Sequence, residues 1–205
     1  MADSVGTRRT SQKAVIRRGR PATLNVKAIC DAATRVIDRD GLDACTMRAV
    51  ASELGASPMS VYRHVADKDA LLALLPDVLL EDVAQTVLRR RTALTAIRAV
   101  AEGLADVLER HPSMSPLFAH PTVGPHMQAA GEHCVSLLCI AGWTEADAVE
   151  VLGAVVSQVI GEHVTREPDT ARPTTHASDH LEVRPRSWGV RLLLAGVAQG
   201  PQATG

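Results

Sequence analysis

Residues 46–68 contain the strongest set of local structural signals in this 205-residue chain. Val50 helps to give a short helix one apolar face, and Gly55 follows where a tight turn needs a positive φ. Ser57 is placed to cap the next helix, and Pro58 occupies its first position, where a missing N–H does no harm. These signals together predict two short helices joined by a tight turn, a helix-turn-helix.

The second of these helices is predicted to turn a polar face outward. Val61 and Val65, four residues apart, place one face inward. The side chains left outside are rich in hydrogen-bond donors, and a short helix with such a face suits the major groove of DNA. The alternative interpretation is an ordinary helical hairpin inside a core, because apolar residues at these spacings are common.

DNA contacts are expected to differ in kind along this segment. Arg48 and Arg63 are the strongest candidates to contact base edges, with Met59 and Ser60 near thymine methyls or base edges. Phosphates are expected to be held by Thr46, Tyr62, His64 and Lys68. The complete predicted DNA-binding set is Arg18, Arg20, Thr46, Met47, Arg48, Ser57, Pro58, Met59, Ser60, Tyr62, Arg63, His64 and Lys68.

Lys68 supports a DNA phosphate as one of these contacts. Asp67 is placed to cap a further helix, and Lys68 falls in its first turn. A cation is unfavourable there, because the N-terminus of a helix carries the positive end of its dipole. A phosphate lying across that helix end would be attracted by both the lysine and the exposed N–H groups.

Residues 1–22 are predicted to form a basic flexible arm. They carry six lysines and arginines, and Asp3 is their one acid. Within residues 17–21 (RRGRP), Arg18 and Arg20 flank a glycine, so this stretch can form an extended strip that enters a narrow minor groove. The alternative is a disordered tail that attracts DNA without fixed geometry.

The helix-turn-helix segment resembles the N-terminal signature of the TetR (tetracycline repressor) family of bacterial transcription regulators. The matching residues are Gly41, Thr46, Arg48, Val50, Ala51, Leu54, Gly55, Tyr62, His64, Val65 and Lys68. Two departures matter, because Val65 stands where the family often has phenylalanine and residues 58–60 are this chain's own. The operator sequence therefore cannot be taken from the family. A weaker resemblance covers residues 141–148 and 188–196.

This resemblance implies an all-α fold and a regulatory function. An N-terminal three-helix helix-turn-helix DNA-binding domain would be followed by a C-terminal helical domain for ligand binding and dimerisation. The implied function is that of a ligand-responsive transcriptional regulator, most simply a repressor. A homodimer would occupy a palindromic double-stranded DNA operator, and a small-molecule inducer would release it.

Charge and composition agree with a regulator that binds DNA through its N-terminal part. Residues 1–68 hold 12 lysines and arginines against 7 acids, although the whole chain has a net charge of −1. No apolar stretch approaches the length of a membrane span, and the N-terminus lacks the apolar block of a signal peptide, so a cytoplasmic protein without membrane contact is expected. The four cysteines have no paired spacing, which favours buried free thiols and no disulfide.

The chain is predicted to divide into the arm, a DNA-binding domain, a connecting helix and a C-terminal domain. The last three would cover residues 23–68, 69–91 and 92–200. A break is expected at Pro76 within the connecting helix, because an interior proline removes a hydrogen bond and clashes with the preceding turn. Whether Pro76 forms a hinge that carries a signal or merely ends one helix is left open.

Two C-terminal helices are predicted to form a four-helix bundle shared by two chains. Residues 144–166 carry apolar side chains on more than one face, and residues 188–199 form a final apolar helix too short to stand alone. The alternative is that both helices pack inside one monomer. The predicted dimer interface is Leu152, Val156, Val159, Leu193 and Val197.

The sequence gives weak indications of other chemistry. The candidate residues for binding an unknown effector are His111, Phe118, Met127 and Cys134. A metal site formed by the histidines of residues 111–133 is a weaker alternative, because no Cys-x-x-Cys or His-Glu-x-x-His pattern is present. No metal or cofactor is expected. The competing function classes are a helical protein-binding module and an enzyme that modifies small molecules, but the sequence lacks a nucleophile elbow and a phosphate-binding glycine loop.

Overall fold

The computed structural model describes residues 24–119, 124–164 and 188–201, and those ranges contain helices and no strand. The all-α class predicted from the sequence is therefore confirmed. The helices are α1 (Val26–Asp40), α2 (Met47–Glu53), α3 (Pro58–Tyr62), α4 (Lys68–Leu79), α5 (Glu81–Leu88), α6 (Ala93–Arg110), α7 (Ser115–Ala119), α8 (Pro125–Ile140), α9 (Glu145–Val164) and α10 (Trp188–Gln199). A 3-10 turn, Pro112–Met114, leads into α7.

Helices α1 to α3 pack around a small apolar core. Ile29 and Ile37 on α1, Val50 on α2 and Val61 on α3 are fully buried. The turn between α2 and α3 places Gly55 at φ 63°, a conformation that costs glycine little. Apolar side chains that recur every three or four residues therefore bury one face of each helix. Packing of these faces against one another stabilises the three helices.

The segment between the two halves of the molecule differs from the prediction. Helix α4 continues through Pro76 to Leu79, and the chain breaks at Leu80, which ends α4 and precedes α5. The expected break at Pro76 is therefore wrong by four residues. The carbonyl of Pro76 accepts a hydrogen bond from the N–H of Leu80 at 3.1 Å, so the helix continues beyond the proline. Pro76 is buried, and its packing holds it inside a helix that a proline would otherwise weaken.

Helix α6 forms the centre of the C-terminal half. It packs against α5, α8, α9 and α10, and its buried residues include Ile97, Val100 and Leu104. Helix α7 and the 3-10 turn cover one end of this layer and bury Met114 and Phe118. None of the helices in the described ranges is long and apolar enough to cross a membrane.

Candidate nucleic-acid interface and internal cavity

Helix α3 buries one side against the core and exposes the other side to solvent. The hydroxyl of Ser57 accepts a hydrogen bond from the N–H of Ser60 at 3.2 Å and so fixes the first turn of the helix. Val61 is fully buried, which sets the rotation of the helix about its axis. Met59, Tyr62 and Arg63 consequently project from the surface, and Met59 is 72% exposed.

The helix ends on either side of α3 add further polar groups. Thr46 caps α2 through a hydrogen bond of 3.1 Å from the N–H of Ala49, and Arg48 is exposed in the first turn of α2. Asp67 caps α4 through a hydrogen bond of 2.7 Å from the N–H of Ala70. Lys68 is half-buried in the first turn of α4, as the sequence predicts.

Some of the predicted DNA-binding residues do not lie on this surface. Met47 is 6% exposed and packs in the core of the helix-turn-helix, so its side chain is not available to DNA. The prediction failed because Met47 follows the cap residue directly, where the sequence does not show which way the side chain turns. Arg18 and Arg20, with the rest of residues 1–22, lie outside the described residues.

An ion-pair network that sequence reasoning missed braces α2 against α1. The carboxylate of Glu53 accepts hydrogen bonds from Arg35 Nε at 2.8 Å and from Arg39 Nη1 at 3.1 Å. The hydrogen bond from Arg35, followed by the one from Arg39, lowers the pKa of Glu53 below its ordinary value. This network holds α1 and α2 together and involves none of the exposed side chains of α3.

A cavity of about 320 Å³ lies between α4 and the helices of the C-terminal half, a size at the lower end of small-molecule pockets. Five helices, α4 and α6 to α9, contribute residues to its wall together with Leu80 and Gly124, and the wall is almost entirely apolar. The lining residues are Pro76, Asp77, Leu80, Val100, Leu104, Phe118, Gly124, Met127, Gln128, Gly131, Leu152, Val156 and Ile160.

Two of the four residues predicted for effector binding line this cavity, and two do not. Phe118 and Met127 are part of the lining. The imidazole Nδ1 of His111 lies 2.9 Å from a carboxylate oxygen of Asp38, so His111 connects the end of α6 to α1 instead. Cys134 is fully buried in the core, and burial raises its pKa to about 11. Neither side chain belongs to the lining of this cavity.

Asp77 is a buried acid in the cavity wall that the sequence gave no reason to single out. Its Oδ1 accepts a hydrogen bond from the N–H of Met127 at 3.1 Å, and its Oδ2 lies 2.8 Å from the imidazole Nδ1 of His126. These partners are about 50 positions away in the sequence. Asp77 therefore caps α8 from α4, a contact that only the tertiary structure creates.

The residues predicted for the dimer interface occupy three different environments. Val159 and Val197 are 2% and 8% exposed, so they belong to the core of their own chain and the assignment of these two is corrected. Leu152 and Val156 line the cavity, and Leu193 is half-buried. The apolar stripes of α9 and α10 cover more than one face, which is why the sequence could not separate the inner face from an outer one.

The exposed faces of α9 and α10 contain small and apolar side chains. Val149 and Leu192 are each 55% exposed. A Cβ atom added at Gly153 or Gly196 would meet nothing within 4 Å, so both glycines face open space. A second surface could approach these positions closely.

Cysteine and metal chemistry adds little to the site. All four cysteines are free thiols; Cys30, Cys45 and Cys134 are buried and Cys139 is exposed, although burial was expected for all. Within the described ranges, no group of three histidine, cysteine, aspartate or glutamate side chains is arranged to hold a metal ion. His120, one of the histidines considered for such a site, lies outside those ranges.

Comparison with known sequences gives a consistent result. Residues 29–75 match the profile described as bacterial regulatory proteins, tetR family. An HTH-type transcriptional regulator of Saccharopolyspora erythraea is 34% identical over 161 residues, which make up 76% of this chain and 68% of that protein. The HTH-type transcriptional repressor DrrR1 of Streptomyces coeruleorubidus is 30% identical, over 70% of this chain and 54% of the repressor.

Solved structures share the fold. ActR of Streptomyces coelicolor, a TetR family protein solved in complex with (S)-DNPA, superposes with a TM-score of 0.67 at 22% identity, covering 88% of this chain and 100% of ActR. BioQ, solved with a double-stranded DNA operator, gives a TM-score of 0.61 at 24% identity, covering 86% of this chain and 99% of BioQ. The shared fold extends through both the helix-turn-helix and the helical C-terminal half.

Proposed function

The chain belongs to the tetR family of bacterial regulatory proteins, and on that premise we propose that it is a repressor released from its operator by a small molecule. Its relatives regulate transcription, so the protein is a DNA-binding regulator and not an enzyme. A homodimer would occupy a palindromic operator, and an effector in the cavity would change the spacing of the two α3 helices.

Helix α4 is the single feature that carries this proposal. It begins at Lys68, six positions after the end of α3 at Tyr62, and its last turns place Pro76 and Asp77 in the wall of the cavity. A helix that joins a DNA surface to an internal cavity gives a physical route by which filling the cavity can move the DNA surface.

The DNA interface that we propose consists of the accessible members of the predicted set. Arg48 and Arg63 would contact base edges, with Met59 and Ser60 beside them. The remaining residues, Thr46, Ser57, Pro58, Tyr62, His64 and Lys68, would hold or approach phosphates. Repression follows from occupancy alone, because a bound dimer blocks access to the promoter.

The dimer surface that we propose is the outer face of α9 and α10. The exposed side chains of Val149 and Leu192 would be buried there, and Gly153 and Gly196 would allow close approach of the second chain. Leu193, which is half-buried, is kept in this proposed surface. A regulator that reads bacterial chromosomal DNA would act in the cytoplasm.

DNase footprinting on the DNA that flanks the gene for this protein tests the proposal. We expect two protected half-sites with centres about one helical turn apart or a multiple of it. A duplex with one half-site scrambled is the control and should lose most of the affinity. Protection of one isolated half-site, unaffected by scrambling its neighbour, would contradict a dimeric operator complex.

A further inference from the structure

The wall of the cavity contains one buried carboxylate in an otherwise apolar environment. Asp77 is 7% exposed and lies between Pro76 and the end of α4. Gln128 is the other polar residue of the lining, and the described part of the lining contains no lysine or arginine. The electrostatic character of the cavity is therefore set by an acid without a matching base in the wall.

The hydrogen bonds of Asp77 leave room for a further donor. A carboxylate offers about four acceptor positions. The N–H of Met127 at 3.1 Å, the imidazole Nδ1 of His126 at 2.8 Å and the N–H of His126 at 3.5 Å account for three of them. By this count, one acceptor position of the carboxylate has no donor from the described residues, and Asp77 is a residue of the cavity lining.

Gln128 does not offset this charge. Its Nε2 donates a hydrogen bond to the carboxylate of Glu132 at 2.9 Å, and the residue is exposed, so water can pair its remaining amide groups. Asp77 is therefore the buried polar group of the described lining that a ligand has to match, because an unmatched polar group in an apolar cavity costs free energy.

The charged groups nearest to Asp77 outside the lining already have partners in the protein. Glu81 lies close enough to Asp77 and His126 for their charges to affect its pKa, but its dominant partner is Lys27, whose Nζ is 2.6 Å from the Glu81 carboxylate. That lysine is therefore engaged by Glu81. His126 is the titratable group that faces Asp77 directly.

From these observations we infer that the effector is a mainly apolar molecule carrying one hydrogen-bond donor group, a protonated amine in particular, that binds the Asp77 carboxylate. The inference rests on the proposed role of the cavity as the effector site. An ammonium group forms a charge-assisted hydrogen bond with a carboxylate, about twice as strong as a neutral one. The apolar body of the molecule would fill the remaining space against Leu104, Phe118 and Val156.

The same carboxylate explains how the amine would act on DNA binding. Asp77 belongs to α4 but holds the first turn of α8, and a Cβ atom at Gly124 would overlap this carboxylate, so the two helices meet closely. A ligand donor that draws the carboxylate toward the cavity competes with His126 and Met127. The contact between α4 and α8 then weakens, and a shift of α4 can move α3.

The inference is tested with three probes of one shape: 4-phenylbutylamine, 4-phenylbutanol and 4-phenylbutyrate. Binding of each to the full-length protein is measured by calorimetry near neutral pH. We expect the amine to bind about tenfold more tightly than the alcohol, and the anionic butyrate to bind most weakly. Equal binding of amine and alcohol, or tightest binding of butyrate, overturns the inference while leaving the cavity as the effector site.

Variants identify the residue responsible. Asp77→Asn keeps the size of the side chain and removes its charge, so the amine should bind no more tightly than the alcohol, while the alcohol keeps its affinity within about twofold. Glu81→Gln is the matched control, because it removes a neighbouring carboxylate outside the lining, and it should keep the preference for the amine. Retention of that preference in Asp77→Asn contradicts the assignment.

Two further results separate the inference from the proposed function. If Asp77→Asn does not fold, the comparison of the three probes on the wild-type protein still decides, because it needs no variant. If none of the probes binds at millimolar concentration, both the inference and the role of the cavity fail. The operator footprint tests DNA binding independently of this result.

Discussion

Four side chains fix the starts of the helices that build the DNA-binding unit and its connection. Asn25, Thr46, Ser57 and Asp67 each accept a hydrogen bond from the backbone N–H three residues later, at 2.7 to 3.2 Å. A missing cap of this kind typically costs about 1 kcal/mol. At the scale of the residue, the geometry of the proposed DNA interface therefore depends on these capping side chains as well as on the side chains that would contact DNA.

Two substitutions distinguish base contacts from phosphate contacts. We expect Arg63→Ala to cost about 1 to 3 kcal/mol on the operator and to relax sequence preference, whereas Lys68→Ala should weaken all sequences similarly and flatten the salt dependence by about one unit. Fluorescence anisotropy on operator and random duplexes at several salt concentrations measures both. Arg98→Ala, on α6 away from α3, is the control. Equal losses on both duplexes for Arg63→Ala would count against its assignment.

Thiol reactivity reports on the core at the same scale. Burial raises the pKa of Cys30 and Cys134 to about 11 and raises that of Cys45, so little thiolate forms at these residues near pH 8. Cys139 is exposed. Iodoacetamide should therefore modify one thiol quickly in the native protein and all four in denaturant. Cys139→Ser removes the fast reaction; persistence of a fast thiol in that variant would show that the core opens.

The helix caps were predictable from the sequence, whereas the contacts between distant helices were not. Ser57, Pro58 and Gly55 act within a few residues of their own positions, so a local pattern identifies them. Glu53 pairs with Arg35, which lies 18 residues earlier, and Asp77 caps a helix about 50 residues later. Such partners are set by the packing of whole helices, which a single sequence does not encode locally.

At the scale of the element, α4 shows how packing overrides local preference. The break predicted at Pro76 occurs instead at Leu80, because Leu75, Pro76 and Asp77 are all buried and hold the helix together across the proline. Periodicity predicted the bounds of α10, residues 188–199, as the structure has them. It could not divide the apolar faces of α9 among the core, the cavity and an outer surface.

Replacement of the proline tests whether α4 carries the signal. Pro76→Ala should restore one backbone N–H inside α4 and change how this helix moves as a unit, so operator affinity and the effector concentration needed for release should shift together. Anisotropy titrations with and without 4-phenylbutylamine measure both quantities. Leu74→Ala, on the same helix but outside the lining, is the control. A change in thermal stability alone, with both quantities unaltered, would leave Pro76 without a signalling role.

At the scale of the whole molecule, the proposed function depends on two copies held at a fixed separation. One α3 helix would contact one half-site, so the affinity of the proposed operator complex would come from the simultaneous binding of two. The outer face of α9 and α10 is suited to fix that separation because these helices pack against α6, which also forms part of the cavity wall. The proposed dimer surface and the cavity therefore both depend on the packing of α9 and α10 against α6, which is how effector binding could change the spacing of the two α3 helices.

Charge placed on the outer face of α9 and α10 should separate the two copies. Leu192→Asp or Val149→Asp would bury an unpaired carboxylate in the interface, so we expect a helical monomer with poor operator affinity, because one half-site supplies half the contacts. Sedimentation velocity at micromolar concentration measures the mass, and circular dichroism checks the helices. Leu88→Asp, at a comparably exposed apolar position on α5, is the control and should stay dimeric. A wild-type monomer, or a Leu192→Asp variant that remains dimeric, would refute this interface.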